Sequence, residues 1–303
     1  MLRNFLPYLS KPRNWPTILI FFFAKLITFL PISIQVLIGR AIGVLLYRLA
    51  SRRKKIARTN IQLCFPDKTE QQQHTLLKEN FALTGLALIE TSACWFSSLN
   101  RRSSLESISG SEHLENAISK GKGVILLSFH MTSLELGCCL LSKHYPISGM
   151  YKPNKEPLLE HIMTKGRLRH LNKLLKQNEV RSTIKALRNN EIVWYAADQN
   201  YGSKSSIFIP FFGIQASTIT ATTKFAKLTG ATVIPFTQKR TKNGQGLELT
   251  LHPALDNFTG ENEEKDALQI NQFLEKYLDQ YPEDYMWIHQ RFRSRPAGEP
   301  PIY

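Results

Sequence analysis

His130 and Glu135 stand five positions apart in residues 123–137, GVILLSFHMTSLELG. A histidine with a carboxylate is the side-chain pair best suited to moving a proton near neutral pH. On one continuous helix the two side chains would point about 140° apart and could not meet. The local pattern removes that obstacle. Val124 to Ser128 is a short apolar run bounded upstream by Gly121-Lys122-Gly123, which predicts a buried strand. Thr132 is followed three residues later by Glu135 and then by Leu136, Cys138, Leu140 and Leu141, a capping-box spacing that predicts a helix starting near Thr132. His130 then lies on a loop past the carboxyl end of a strand, where open α/β sheets carry ligands, and Glu135 in the first helical turn could reach its ring and fix its tautomer. The motif supplies a general base with an orienter and no nucleophilic serine or cysteine. The simplest chemistry is direct: His130 deprotonates a hydroxyl on one substrate, and that oxygen attacks an activated acyl group on another. A capping acid beside a satisfied loop histidine accounts for these two residues equally well.

Other polar groups fall at similar places. Residues 147–151 read as a strand ending in Tyr151-Lys152-Pro153, and residues 191–197 as a strand ending in Asp198-Gln199-Asn200-Tyr201-Gly202. Asp198 and Gln199 therefore fit the same rim as His130, although Asp198, Asn200 and Gly202 could equally build a local turn. Arg167 and Arg169, at alternate positions after Gly166, suit bidentate capture of a phosphate or support of a developing oxyanion, and they suit an ordinary basic surface as well. Arg291, Arg293 and Arg295 alternate near the carboxyl end and could complete a basic rim.

The elements that must position these groups alternate. Helices are expected over 70–98, 111–119, 156–165, 182–190, 217–229 and 263–280, with further strands over 231–239 and 247–252 joined by a Gly244-Gln245-Gly246 hairpin. Residues 207–213, IFIPFFG, read as a loop because Pro210 suits a central strand poorly; Phe208, Phe211 and Phe212 could meet a hydrocarbon chain or join the core. The outcome is an α/β fold, a mixed, mostly parallel sheet flanked by helices with one antiparallel edge.

At 303 residues, the chain can hold one main domain with an added segment. Lys plus Arg outnumber Asp plus Glu by 39 to 24, a net charge of +15, so an anionic partner is expected: a phosphorylated lipid, an acidic carrier protein, a membrane surface or a nucleic acid. Cys64, Cys94, Cys138 and Cys139 show neither disulfide nor zinc spacing. Residues 15–30 are apolar but short for a membrane span, whereas 15–38 taken through a kink at Pro31 would be long enough. Arg52-Arg53-Lys54-Lys55 follow, either holding a cytoplasmic membrane surface or forming a solvated helix face. Residues 1–55 are thus expected to be an N-terminal membrane anchor or interfacial segment, and 56–303 the catalytic domain.

HMTSLELG at 130–137, YKP at 151–153, GRLR at 166–169, EIVWYAADQNYG at 191–202, FIPFFG at 208–213 and YMWIHQRFRSRP at 285–296 occur in one order along the chain. Together with CFP at 64–66 this set resembles the late acyltransferases of lipid A biosynthesis, and the lauroyltransferase branch more than the myristoyltransferase branch. The resemblance implies a glycerolipid-acyltransferase-like fold with an N-terminal membrane-anchoring helix. It implies an inner-membrane enzyme with its catalytic domain on the cytoplasmic face, transferring an acyl chain from acyl carrier protein to Kdo-bearing lipid IVA. It also implies His130 and Glu135 as the catalytic pair, Arg167 or backbone N–H groups as oxyanion donors, and Lys152, Arg169, Asp198 and Gln199 as binding or positioning groups. No cofactor or metal is called for, because a thioester is already activated. Gln290 stands where the resemblance leads one to expect a basic residue. Two other classes fit parts of the sequence: a glycerophospholipid acyltransferase using the same His130 and Glu135, and a non-enzymatic basic protein binding membrane or nucleic acid, for which only the charge speaks.

Overall fold

The computed structural model describes residue 8 and residues 11–97, 99–103, 106–202 and 206–303. A 3-10 turn at Pro12–Asn14 leads into two apolar helices, α1 (Trp15–Ile27) and α2 (Ile32–Leu49), separated at Pro31. Then follow α3 (Ser51–Cys64) and the long α4 (Glu70–Phe96), whose amino end is closed by a reciprocal capping box between Thr69 and Gln72. A short α5 (Asn100–Ser103) leads to β1 (Glu106–Ser109), α6 (Ser111–Ser119), β2 (Val124–Ser128), α7 (Leu134–Leu141), β3 (Ile147–Tyr151) and α8 (Pro157–Arg167). Next come β4 (Lys173–Lys176), α9 (Val180–Arg188), β5 (Ile192–Ala196), β6 (Ser206–Phe211), β7 (Ile214–Ile219) and α10 (Ala221–Thr229). β8 (Thr232–Arg240), β9 (Leu247–Leu251) and α11 (Glu263–Gln280) complete the order.

Seven strands form one sheet in the order β1-β9-β8-β2-β5-β3-β4, parallel at every step except β8 against β9. β2 occupies the centre and is buried on both faces, with Val124 and Leu126 in one core cluster and Ile125 and Leu127 in the other. That is why it reads as a continuous apolar run rather than an alternating one. β2 and β5 pair in register, Ser128 opposite Ala196. His130 and Asp198 each lie two residues beyond that last rung.

Four expectations need correction. The antiparallel step is not the edge, because β1 adds in parallel outside β9; its sequence, ESIS, is too short and polar to have been read as a strand. Residues 207–213 are not a loop: β6 pairs with β7 as a separate antiparallel ribbon, where Pro210 faces Gln215 and no central ladder needs its missing N–H. The turn between them is Phe212 at φ 50 and Gly213 at φ 73, both left-handed as a two-residue hairpin demands, with the Phe212 amide held by Glu275 Oε1 at 2.6 Å. The helix expected from 217 begins only at Ala221, since Ser217 to Ile219 belong to that ribbon. The capping box at Thr132 and Glu135 does not form: α7 starts at Leu134, and both side chains are engaged elsewhere.

Phe211 is core, packed against Phe212, Tyr285 and Phe292, and Phe212 is half-buried against Phe211 and Phe65. All four cysteines are free and buried.

Candidate active site

The carboxylate that meets His130 is Asp198. Its Oδ1 lies 2.8 Å from His130 Nδ1 and also accepts the His130 backbone N–H at 3.0 Å, while Oδ2 accepts the Tyr285 hydroxyl at 2.8 Å. Asp198 is buried and the imidazole retains a side-chain exposure of 18%. Burial works to raise the Asp198 carboxyl, but His130, Tyr285 and Arg291 outweigh it and hold the group below the ordinary carboxylate range. An ionised acceptor at Nδ1 fixes that nitrogen as the N–H and leaves Nε2 with its lone pair, the state a general base requires.

The pairing of His130 with Glu135 expected from the sequence is therefore replaced. Glu135 turns away to the helices beside α7: Oε1 accepts from Trp95 Nε1 at 2.8 Å and Arg167 Nε at 2.9 Å, and Oε2 accepts from Arg167 Nη2 at 2.6 Å. Because α7 begins at Leu134, Glu135 sits on its first turn facing α4 and α8 rather than the loop behind it. Burial pushes the Glu135 carboxyl up, yet the Arg167 charge with the Arg167 and Trp95 hydrogen bonds brings it below its usual value. Arg167 closes α8 rather than standing on a loop, and burial of its guanidinium is outweighed by Glu135, so it stays charged. Among the described residues its Nη1 has no hydrogen-bond partner. Gly166 lets this end approach α4, since a Cβ there would lie 2.6 Å from the Trp95 side chain.

A strap formed by residues 282–292 holds the histidine loop from the other side. Met131 bridges Tyr285 antiparallel, the Met286 amide donates to the His130 carbonyl at 2.9 Å, and the Thr132 amide donates to the Asp284 carbonyl at 2.6 Å. Asn80 of α4 donates to the carbonyls of Glu283 and Tyr285, and Asn60 of α3 to those of Trp287 and His289. At the end of β8 the buried Arg240 bonds Glu90 at 2.5 Å, Thr132 Oγ1 at 2.6 Å and Asp284, joining α4, the loop and the strap. His289 Nε2 accepts from the Asn200 amide at 3.2 Å, and burial pushes this ring down to about 4.

The remaining expected residues are dispersed. Gln199 is half-buried beside Asp198, whereas Lys152 and Arg169 are exposed beyond β3 and α8. Arg291 is not part of a basic rim: it is buried, donating to the Ser217 carbonyl at 2.6 Å and Thr218 Oγ1 at 3.0 Å over the Phe211 ring. Asn60, Asn80, Glu90 and Arg240 escaped the sequence reading, because isolated polar residues inside helices and strands look like solvated faces, and Tyr285 escaped it because it lies in an irregular strap with no periodic pattern. The usable signal was a polar residue at an otherwise apolar register, as Asn80 is beside Phe81 and Leu77. Among the described residues no group of three or more His, Cys, Asp or Glu side chains converges as a metal site would require.

The arrangement is an imidazole at the carboxyl edge of a parallel sheet, tied through Nδ1 to a buried carboxylate, with a largely buried guanidinium held at the end of α8. Residues 2–294 match the bacterial lipid A biosynthesis acyltransferase family. The chain is 36% identical over 303 residues to a lipid A biosynthesis lauroyltransferase of Escherichia coli (strain K12), covering 100% of this chain and 99% of that protein. It is 36% identical over 305 residues to a lipid A biosynthesis acyltransferase of Haemophilus influenzae, covering 99% and 97%. To a lipid A biosynthesis palmitoleoyltransferase of Escherichia coli (strain K12) it is 34% identical over 276 residues, 90% of each. Matched along almost its whole length, the chain belongs to the bacterial lipid A biosynthesis acyltransferases and is an acyltransferase.

Proposed function

We propose that this acyltransferase moves a lauroyl chain from acyl carrier protein to a hydroxyl of an acyl chain on Kdo-bearing lipid IVA, at the cytoplasmic face of the inner membrane. The observation that carries the mechanism is the 2.8 Å bond tying His130 Nδ1 to the buried Asp198, which leaves Nε2 as the acceptor. His130 Nε2 takes the hydroxyl proton as the oxygen attacks the thioester carbonyl. The new C–O bond places negative charge on the carbonyl oxygen, and Arg167 Nη1 donates to it. Collapse breaks the C–S bond, and the imidazolium returns its proton to the carrier thiolate. In this reading Glu135 does not touch the reacting atoms; it fixes the guanidinium that does. Lys152, Arg169 and Gln199 steer the phosphorylated acceptor or the acidic carrier, in keeping with a net charge of +15.

The donor has a second reading, because a palmitoleoyltransferase is nearly as similar as the lauroyltransferase, 34% against 36%. Residues 1–55 serve as the membrane segment and 56–303 as the catalytic domain. Membranes containing the protein are to be incubated with acyl carrier protein thioesters of lauroyl and palmitoleoyl chains, with Kdo-bearing lipid IVA and a lysophospholipid as competing acceptors. Mass spectrometry should show one lauroyl mass added to the lipid IVA derivative. A palmitoleoyl mass would exchange the donor, and acylation of the lysophospholipid alone would overturn the acceptor.

A further inference from the structure

α2 is long and apolar enough to cross a membrane by length and composition, with a mean hydropathy of 1.6 over Ile32–Leu49. What surrounds it argues otherwise. Its 18 residues would span about 27 Å and place Arg40 at the bilayer midplane. Arg40 is paired there through both nitrogens with Glu79 of α4, at 2.6 and 2.8 Å. Toward one end, Gln35 accepts from the Arg102 guanidinium at 2.8 Å, and toward the other Tyr47 bonds His74 at 2.9 Å. α2 therefore runs antiparallel along α4 for most of its length.

The two helices are in backbone contact. A Cβ on Gly85 would lie 2.2 Å from the Gly43 nitrogen and 2.3 Å from the Gly39 carbonyl oxygen, and one on Gly43 would lie 2.3 Å from the Phe81 carbonyl oxygen. α4 in turn buries Leu77, Phe81, Leu86 and Ile89 in the body of the protein and carries Asn80, which holds the strap at Tyr285. Passing α2 through a bilayer would take α4 with Lys78, Glu79 and the strap frame into hydrocarbon, where charged groups are costly. α1 cannot cross instead, since 13 residues reach only about 20 Å.

Yet both helices present a continuous apolar surface. α1 buries no residue and exposes Trp15, Leu19, Ile20, Phe22, Phe23 and Leu26; α2 adds Ile34, Leu37, Val44, Leu45 and Leu49 on the face turned from α4. The exposed cations Arg48, Arg52, Arg53, Lys55 and Arg58 follow at the end of α2 and on α3, the charge that anionic headgroups attract. This surface also adjoins the site. The Phe21 ring lies tilted with its centroid 6.0 Å from that of Trp95, whose indole donates to Glu135.

We propose that α1 and α2 dock the enzyme into a single leaflet without crossing it, with Phe21 of α1 seated against Trp95 beside the Glu135–Arg167 pair. The leaflet is chosen over a second copy of the chain because the apolar face ends in a run of like charges, which two copies would bring into repulsion. The inference rests on the membrane reading above, and the two are separated experimentally. Flotation of the full-length protein with vesicles of phosphatidylethanolamine and phosphatidylglycerol tests the membrane reading: a soluble dimer that does not float ends both. Lys11→Cys, Leu30→Cys and Ser51→Cys are then treated with a membrane-impermeant maleimide in inverted and right-side-out membrane vesicles, the native thiols being buried. Docking in one leaflet predicts Lys11→Cys and Ser51→Cys labelled together in inverted vesicles only, with Leu30→Cys protected in both. Labelling of Lys11→Cys in right-side-out vesicles, or of Leu30→Cys there, overturns the proposal while leaving the membrane reading intact.

Discussion

Asp198, buried just past β5, and Glu135, largely buried on the first turn of α7, are both held ionised below their ordinary range. Their partners make them different. Asp198 faces a titratable ring and a phenol, so it sets a tautomer; Glu135 faces a permanent cation and an indole, so it sets the place of a charge. A carboxylate's chemistry is decided by what shares its cavity, and the same acid at the wrong partner would orient nothing.

The strongest break in this comparison is Asp198→Asn, which keeps the shape but removes the ionised acceptor at Nδ1. It should lower kcat roughly 1,000-fold with little change in KM and a modest loss of stability. Equal losses in kcat for Asp198→Asn and in the purified fold, read by thermal unfolding, would make Asp198 structural only.

Glu135→Gln should instead act first on stability, because it leaves the Arg167 guanidinium buried without its counter-charge. A loss of about 3–5 kcal/mol in denaturant unfolding is expected, and adding Arg167→Met should recover part of it. If Glu135→Gln and Asp198→Asn prove strongly non-additive in kcat, the two carboxylates form one unit and the separation drawn between them is wrong.

Tyr285→Phe sharpens the first half of the comparison. Asp198 Oδ2 loses a donor while Oδ1 keeps the ring, so kcat should fall about tenfold with the fold intact. No change in kcat would remove the strap from the site's chemistry.

The smallest effect is a pH dependence of stability that separates histidines from carboxylates. Burial pushes His289 and His252 down to about 4, so the unfolded chain binds more protons than the folded one between about 6.5 and about 4. Stability should therefore fall as pH is lowered through that window. Asp198 and Glu135, depressed in the folded protein, add stability above the unfolded carboxylate range of about 4 and lose it as pH falls further. Unfolding in urea across this range should show the first decline weakened by His289→Phe and the second weakened by Asp198→Asn.

Much of this was legible in the chain. The apolar run 124–128, the Gly punctuation before it and the placement of His130 beyond it follow from local rules, and they gave a central strand with a histidine past its carboxyl end. α11 appears at the bounds its periodicity predicts, 263–280. The ribbon of β6 and β7 was missed because proline penalises a strand only where a neighbour needs its N–H, and a two-stranded ribbon has no such neighbour on its outer side. Arg291 was misplaced because alternation marks a face only when a regular strand follows it, and this segment is irregular.

By itself the sequence determined the kinds of groups at the sheet edge, since residue type and strand ends are local properties. Which acid meets the histidine was settled by register. Pairing Ser128 with Ala196 carries Asp198 to His130 across 68 residues of chain, while five residues of loop and helix turn Glu135 the other way. Spacing along the chain measures contour, and hydrogen bonds are made through space, so only the parallel pairing of β2 with β5 could decide between the two carboxylates.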